Sequence, residues 1–552
     1  MIKNIVHFFI IPFFLGVIGG FSAIIFRWLI KIFTMFNEKL NIFQSNYFYL
    51  ISIPVIFLLS DWLIKKLKIS SENVTLDLIA KKVILLKGKF SKIKGFLVLF
   101  LTSLSIGFGI PVGREGPIAK LGGLLSEIFL EKLKIEKINF PIYLGAGIAS
   151  AIAATFNAPV AGAILGLEII IGKINSYIII PLIISIVTAT FISREFIGNF
   201  AAFIVPHLSW NEEYVFFIPF EALFISVLCL IVIEGLEYLR VLKVKNRHYW
   251  HKYIVILGLF AGVIISLVPE SAGIGYEHIT TILNDNSYSV SYIFIILAAK
   301  IIGLILSIGS GLFGGIMSPS IFIGSFGGYW FGSVFDFLGI DPRVFAVVGA
   351  ASMLAGITKT PLRSSVIITE LTHSYQLVLP ILVASSLTVF LISLIKRDTF
   401  FKRSLLQKGI DIENKEIYKF LKNCNLEKYL VKIPAIKEKF SVYRASLLIK
   451  KNKFNILAVV DDNGKLIGLI TLTDIRKSFL LNKKHLEIKD IMTKNPFVIK
   501  TNSSLEDIIR AIGLIENRFV PYTDEKGNYL GFIDLRSLVK DLSITYNSFY
   551  LK

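Results

Sequence analysis

The sequence predicts an all-α polytopic membrane domain made of two related halves with discontinuous helices, followed by a C-terminal α/β tandem. Three observations carry this. The 552 residues are 54% hydrophobic with a mean hydropathy of +0.70, outside the range of ordinary soluble proteins. Within the first 400 residues, a set of Gly, Pro and Glu positions recurs at a displacement of 202. After about residue 397 the long apolar runs stop and a soluble, alternating pattern takes over.

Seven apolar runs are long enough for membrane helices: Phe8–Phe33, Tyr47–Ile64, Tyr177–Ile192, Val215–Ile233, Tyr253–Val268, Tyr292–Ile308 and Leu377–Ile395. The first is too long for a signal-peptide core and lacks a small-residue cleavage site, so it reads as a retained helix. Runs over 97–112, 141–171, 319–338 and 344–371 are shorter or interrupted by Gly or Pro. They fit re-entrant or broken helices better than simple spans.

The formal charge is +20. Lysines crowd 64–68, 81–94 and the C-terminal third, which by the positive-inside rule face the cytoplasm. No basic motif interleaved with aromatic residues is present, so no nucleic-acid partner is expected. Cys229 and Cys424 are too far apart to indicate a disulfide framework or a metal site. The seven histidines show no H-E-x-x-H spacing, and His248 and His251 beside Trp250 read as an interfacial cluster. No enzyme chemistry is expected.

The most informative stretch is Gly109–Pro117, where Gly and Pro interrupt an apolar run around the charged pair Arg114-Glu115. Taken alone it is either a polar surface loop or a functional break at membrane depth, since broken backbone at that depth is tolerated only inside protein or along a cavity. The repeat selects the second reading. Gly113 overlays Gly315, Pro117 overlays Pro319, Gly122 overlays Gly324, Gly147 overlays Gly349, Pro159 overlays Pro361 and Glu168 overlays Glu370. Pro117 and Pro319 suit the first turn of a helix. Two helix N-termini aimed at one point make an anion site from backbone N–H groups, without a lysine that would hold the anion too tightly. A cation transporter would need acidic residues in the breaks, and the second break has none.

The expected domains are 1–400 for the membrane part, 401–433 as a basic linker, and two α/β modules at 434–482 and 487–545. Asn455–Val460 and Lys465–Thr471 read as strands joined by the turn Asp461-Asp462-Asn463-Gly464, and the unit returns 63 residues later at Asp524–Gly527.

Four segments resemble the CLC family of chloride channels and chloride/proton antiporters with a C-terminal CBS-domain pair. Gly113-Arg114-Glu115-Gly116-Pro117 matches the family's G-[KR]-E-G-P, and Gly315-Ile316-Met317-Ser318-Pro319 resembles its G-x-F-x-P. Asn157-Ala158-Pro159 through Glu168, and Tyr375–Pro380, resemble the following helices of the two halves. The resemblance implies inverted-topology halves, a homodimer in the cell membrane with one chloride pathway per subunit, and cytoplasmic CBS domains. It implies Glu115 as the gating glutamate, with Gly113 and the backbone of Ile316 and Met317 at the anion. Arg114 is expected to brace the site by pairing with a carboxylate or carbonyl.

Three departures bear on function. The family's G-S-G-I-P maps to Ser70–Val74, with Ser71 at the anion-binding serine; a helix N-cap is the other reading of that serine. The inner-gate tyrosine maps to Phe401, which can narrow a pore but offers no hydroxyl. The internal proton-transfer glutamate maps to Ile169, and Glu168 beside it points about 100° away around a helix. These departures favour a channel or weakly coupled transporter, with a chloride/proton antiporter as the alternative and a fluoride-type or CBS-regulated cation transporter as further alternatives. In the tail, Gly468–Asp474 resembles the CBS signature, with Thr471 and Asp474 as candidates for an adenine nucleotide. Dimer packing of the pair is the other reading, and no other cofactor is expected.

Overall fold

The computed structural model describes residues 5–40, 46–67, 92–133, 135, 140–170, 176–199, 203–206, 208–246, 249–284, 288–396, 425–452, 454–480, 485–494, 496–501, 503 and 519–538. They form two compact units, divided between Phe401 and Lys402.

The first unit is helical. Its principal helices are α1 (Ile11–Leu40), α2 (Tyr49–Lys66), α3 (Lys92–Gly107), α4 (Glu115–Lys132), α5 (Phe140–Phe156), α6 (Pro159–Ile170), α7 (Ser176–Ile197), α8 (Ile218–Lys245), α9 (Trp250–Leu267), α10 (Tyr276–Asn284), α11 (Val290–Ser310), α12 (Met317–Val334), α13 (Pro342–Thr358), α14 (Pro361–Thr372) and α15 (Val378–Ile395). Seven helices among the described residues are long and apolar enough to cross a membrane, and they coincide with the seven apolar runs of the sequence. Large apolar side chains stay exposed on their outer faces, including Phe191, Phe220, Leu379 and Leu394, as expected of surfaces covered by lipid. The chain is a multi-pass membrane protein.

The repeat fixes the helix boundaries. Displaced by 202 residues, α4 becomes α12, α5 becomes α13 and α6 becomes α14, each with the same first and last positions. The interruptions repeat too. Asn157 between α5 and α6, and Lys359 between α13 and α14, both take a left-handed conformation at φ 55°. Each follows a helix that ends where Pro159 or Pro361 starts the next, so the runs 141–171 and 344–371 are broken helices.

The two halves are stapled at one such interruption. Glu370 near the end of α14 accepts from Val160 N at 3.0 Å and Ala161 N at 2.7 Å, capping the N-terminus of α6 in the other half. A carboxylate there satisfies two orphan N–H groups and complements the helix dipole. Glu168 is its counterpart under the displacement; its side chain lies outside the described residues. Glu370→Ala is expected to cost roughly 1–2 kcal/mol, since the capped N–H groups are partly exposed. A lowered Tm in detergent, partly restored by Glu370→Gln, checks this.

The second unit contains two four-stranded sheets. One runs β2 (Ala435–Lys437), β3 (Ile456–Val460), β4 (Leu466–Thr471), β5 (Thr493–Lys494); the other runs β1 (Leu430–Val431), β8 (Tyr529–Asp534), β7 (Phe519–Thr523), β6 (Ile499–Lys500). The 63-residue displacement again carries strand onto strand: β3 onto β7, β4 onto β8, with an irregularity in the same place in each pair. The modules exchange their leading strands. β1, at the head of the first module, pairs with β8, and β5, at the head of the second, pairs with β4. β1 lies in the stretch read as linker, because its partner is remote in sequence. Helix α16 (Val442–Asn452) and helix α17 (Leu472–Leu480) accompany the first module, and Ile436, Leu457, Val459, Ile470 and Phe532 fill a shared core.

Candidate anion site

The breaks before α4 and α12 meet face to face. Gly113 N donates to Gly315 O at 2.7 Å, and Gly315 N donates to Gly113 O at 2.7 Å. The two residues form an antiparallel bridge. A reciprocal pair between positions i and i+202 is the contact that a two-fold axis through the pair generates. The two breaks are therefore related by a local two-fold axis, which a displacement along the sequence could not reveal.

The residues after the bridge match as well. Arg114 (φ −99°, ψ −11°) and Ile316 (φ −105°, ψ −16°) take nearly the same backbone conformation as they enter α4 and α12, and neither N-terminus has a side-chain cap of its own. Each helix begins with the residue that follows, Glu115 or Met317. The Glu115 side chain crosses the axis: Oε1 accepts from Met317 N at 2.5 Å and Oε2 from Ser318 Oγ at 3.3 Å. The carboxylate sits at the positive end of α12, with its charge opposed to the helix dipole. Glu115, Ile316 and Met317 are all buried, at 2%, 6% and 4% exposure.

Glycine is required on both sides of this seat. A Cβ built at Gly315 would overlap Glu115 Oε1, and one at Gly113 would overlap both carboxylate oxygens. Ser318, which the sequence reading did not single out, is the second donor.

Arg114 departs from expectation. Its guanidinium lies over the ring of Phe156 at 4.9 Å and of Tyr276 at 5.5 Å, and its Nε has no hydrogen-bond partner among the described residues. It braces the break through aromatic faces instead of a carboxylate or carbonyl. Nothing in the sequence marks Tyr276 as its partner.

Ser71 and Phe401 lie outside the described residues, as do the side chains of Glu168 and Ile169, which fall in the last turn of α6. The geometry thus brings together Gly113, Glu115, Ile316 and Met317 of the sequence-derived set.

Residues 56–392 match the family model described as voltage gated chloride channel. The chain belongs to that family, the CLC proteins. Residues 430–481 and 488–544 match the CBS domain. A putative chloride channel protein ClcB-like from Ralstonia nicotianae is 30% identical over 292 residues, covering 51% of this chain and 67% of that protein. The H(+)/Cl(-) exchange transporter ClcA of Vibrio cholerae is 31% identical over 297 residues, 51% of this chain and 62% of that protein. The crystal structure of a eukaryotic CLC transporter shares the fold at 19% identity and a TM-score of 0.65, covering 95% of this chain and 97% of the other. The match spans about two thirds of the length of these curated relatives, whose names are those of chloride channels and H(+)/Cl(-) exchange transporters.

The CBS unit holds a cavity of about 860 Å³ lined by Asn455, Thr471, Asp474, Arg476, Asp534 and Arg536, among others. Thr471 Oγ1 donates to Asp474 Oδ2 at 2.6 Å, and Thr471 N donates to the same oxygen at 2.9 Å. The second module inverts this pair, with Ser537 Oγ donating to Asp534 Oδ2 at 3.0 Å.

Proposed function

We propose that this CLC protein is a chloride/proton exchanger in which Glu115 and chloride compete for one seat. The single observation that supports this is the Glu115 carboxylate on Met317 N, where a helix N-terminus would otherwise offer its N–H to an anion. An ionised Glu115 holds the seat. Protonation removes its charge, weakens the bond to Met317 N, and frees the N–H for chloride. Proton and chloride binding are then linked at one atom. Ser71, Gly113, Ile316 and Phe401 complete the anion path in this reading, and the functional unit is a homodimer with one path per subunit.

The Vibrio relative's name agrees with exchange. The Ralstonia relative's name, and Ile169 where exchangers of the family carry an acid, favour channel conduction as the second reading. Reconstitution into liposomes with simultaneous chloride and pH recording separates the two. A chloride gradient is expected to drive protons uphill; chloride flux without proton movement selects the channel, and no anion flux from a folded dimer overturns both.

The CBS cavity fits an adenine nucleotide. It is of ligand size, Asp474 and Thr471 present a carboxylate and a hydroxyl to ribose hydroxyls, and Arg476 and Arg536 suit phosphate. A bound nucleotide would supply occupancy and no chemistry. Asp474→Asn is expected to weaken ATP binding about tenfold, as for loss of a charged hydrogen bond. Calorimetry on the full-length protein checks this, and no heat with ATP, ADP or AMP overturns it.

A further inference from the structure

A second buried carboxyl lies outside the anion site. Glu221 is in the first turn of α8, with an exposure of 0%. Neither Oε1 nor Oε2 has a hydrogen-bond partner among the described residues. The side chain enters a niche between α8, α12 and α13, where Cβ atoms built on Gly328 and Gly349 would each come to 3.0 Å from Oε1. The Phe345 carbonyl lies against the same glycine, Gly328.

Among the described residues, no charge faces this carboxyl. On α12 the nearest wall is Gly328, and on α13 it is Gly349 with the Phe345 main chain. On α15, Thr388 Oγ1 turns to the Ala222 carbonyl beside it. Arg343 binds Asp341, Cys229 faces Met353, and Lys300 of α11 donates to the carbonyls of Ser271, Ala272 and Gly273.

The repeat shows that the niche is built. Under the 202 displacement, Gly328 corresponds to Ser126 and Gly349 to Gly147. In the first half, the Ser126 hydroxyl and the Leu15 side chain of α1 occupy the space in front of Gly147. In the second half, that serine is replaced by glycine and the facing helix contributes a carboxyl. The volume is filled from the opposite wall, by a group that can bind a proton.

An ionised carboxylate without donor or counter-charge is not sustained at such a place, whereas a neutral acid is. We propose that Glu221 is a proton-binding site of the membrane domain, separate from Glu115 and held as the neutral acid in the glycine-walled niche between α8, α12 and α13. Gly328 lies eleven residues along α12 from Met317, about 16 Å at the helical rise, so a proton here is bound without displacing an anion at the N-terminus. The folded protein keeps a proton that the unfolded chain releases, so Glu221 makes stability fall as pH rises above the range where free glutamate ionises.

Infrared spectroscopy on the Glu115→Gln protein in membranes at about pH 8, where exposed carboxyls are ionised, tests this without any flux measurement. A neutral-carboxyl C=O stretching band is expected, and it is expected to vanish in Glu115→Gln/Glu221→Gln. Glu221→Asp retains a carboxyl and should shift the band, which assigns it if the glutamine variant does not fold. Absence of the band, or a band unchanged by both substitutions, overturns the proposal. Thermal melts give a second reading: the fall in Tm between about pH 5 and about pH 8 should be smaller in Glu221→Gln than in the wild type, and equal falls count against the site.

Discussion

Glu115→Gln is expected to stop proton movement altogether and to leave anion flux insensitive to acidic pH. What the carboxylate holds decides this. Its Oε1 takes the N–H of Met317 and its Oε2 the hydroxyl of Ser318, both inside the protein. A hydrogen bond to an ionised acceptor contributes about 1.5–3 kcal/mol against about 1 kcal/mol for a neutral one. Glutamine can still accept from Met317 N, but only as a neutral amide, so the anion's competitor weakens by about 1 kcal/mol or more and apparent anion affinity should rise roughly tenfold. The same change removes the titrating carboxyl from the seat. The wild type gains anion access as Glu115 protonates; the variant is already in that condition and gains nothing. Chloride and pH recording on liposomes checks both halves. A variant that still moves protons, or that keeps the wild-type acid response, would place the gate elsewhere.

Much of this site was legible in the sequence because symmetry leaves a numerical trace. The same displacement that overlays Gly113 on Gly315 returns the start and end of α4, α5 and α6 in α12, α13 and α14, and it predicted which two breaks belong together. What it could not carry was direction. A displacement says nothing of how the halves are turned in space, and the reciprocal bonds between Gly113 and Gly315 supply the local two-fold axis. Contacts that come from folding alone were also hidden. Ser318 reaches Glu115 across 203 residues, and Arg114 finds Phe156 and Tyr276 on different helices, neither at a spacing that a motif could display. Glu370 matched Glu168 in the repeat, yet its task as a cap on the other half's α6 appears only once α6 and α14 are packed. The exchange of β1 and β5 between modules has the same cause: pairing partners far apart in sequence override the local reading of a linker.

The steric half of the gate yields the sharper test. Gly315→Ala is expected to reproduce the loss of pH response seen on removing Glu115, while leaving that residue in place. Gly315 is not among the residues at positive φ, so an alanine is compatible with its backbone, and its N–H and C=O remain free to pair with Gly113. The added methyl instead lands on the Glu115 carboxyl, its nearest neighbours being Oε1, Cδ and Cγ of that one side chain. A flexible side chain gives way before a paired backbone does, so the carboxylate leaves Met317 N and the seat stays open to anions at all pH values. In the Glu115→Ala background these three nearest atoms are gone, and the same methyl should be silent. The double-mutant cycle therefore predicts strong non-additivity: each single change abolishes the pH response, and the two together do no more than either. Additive losses, or a Gly315→Ala protein that retains the wild-type acid response, would mean that the carboxylate is not seated against Gly315 while the transporter works.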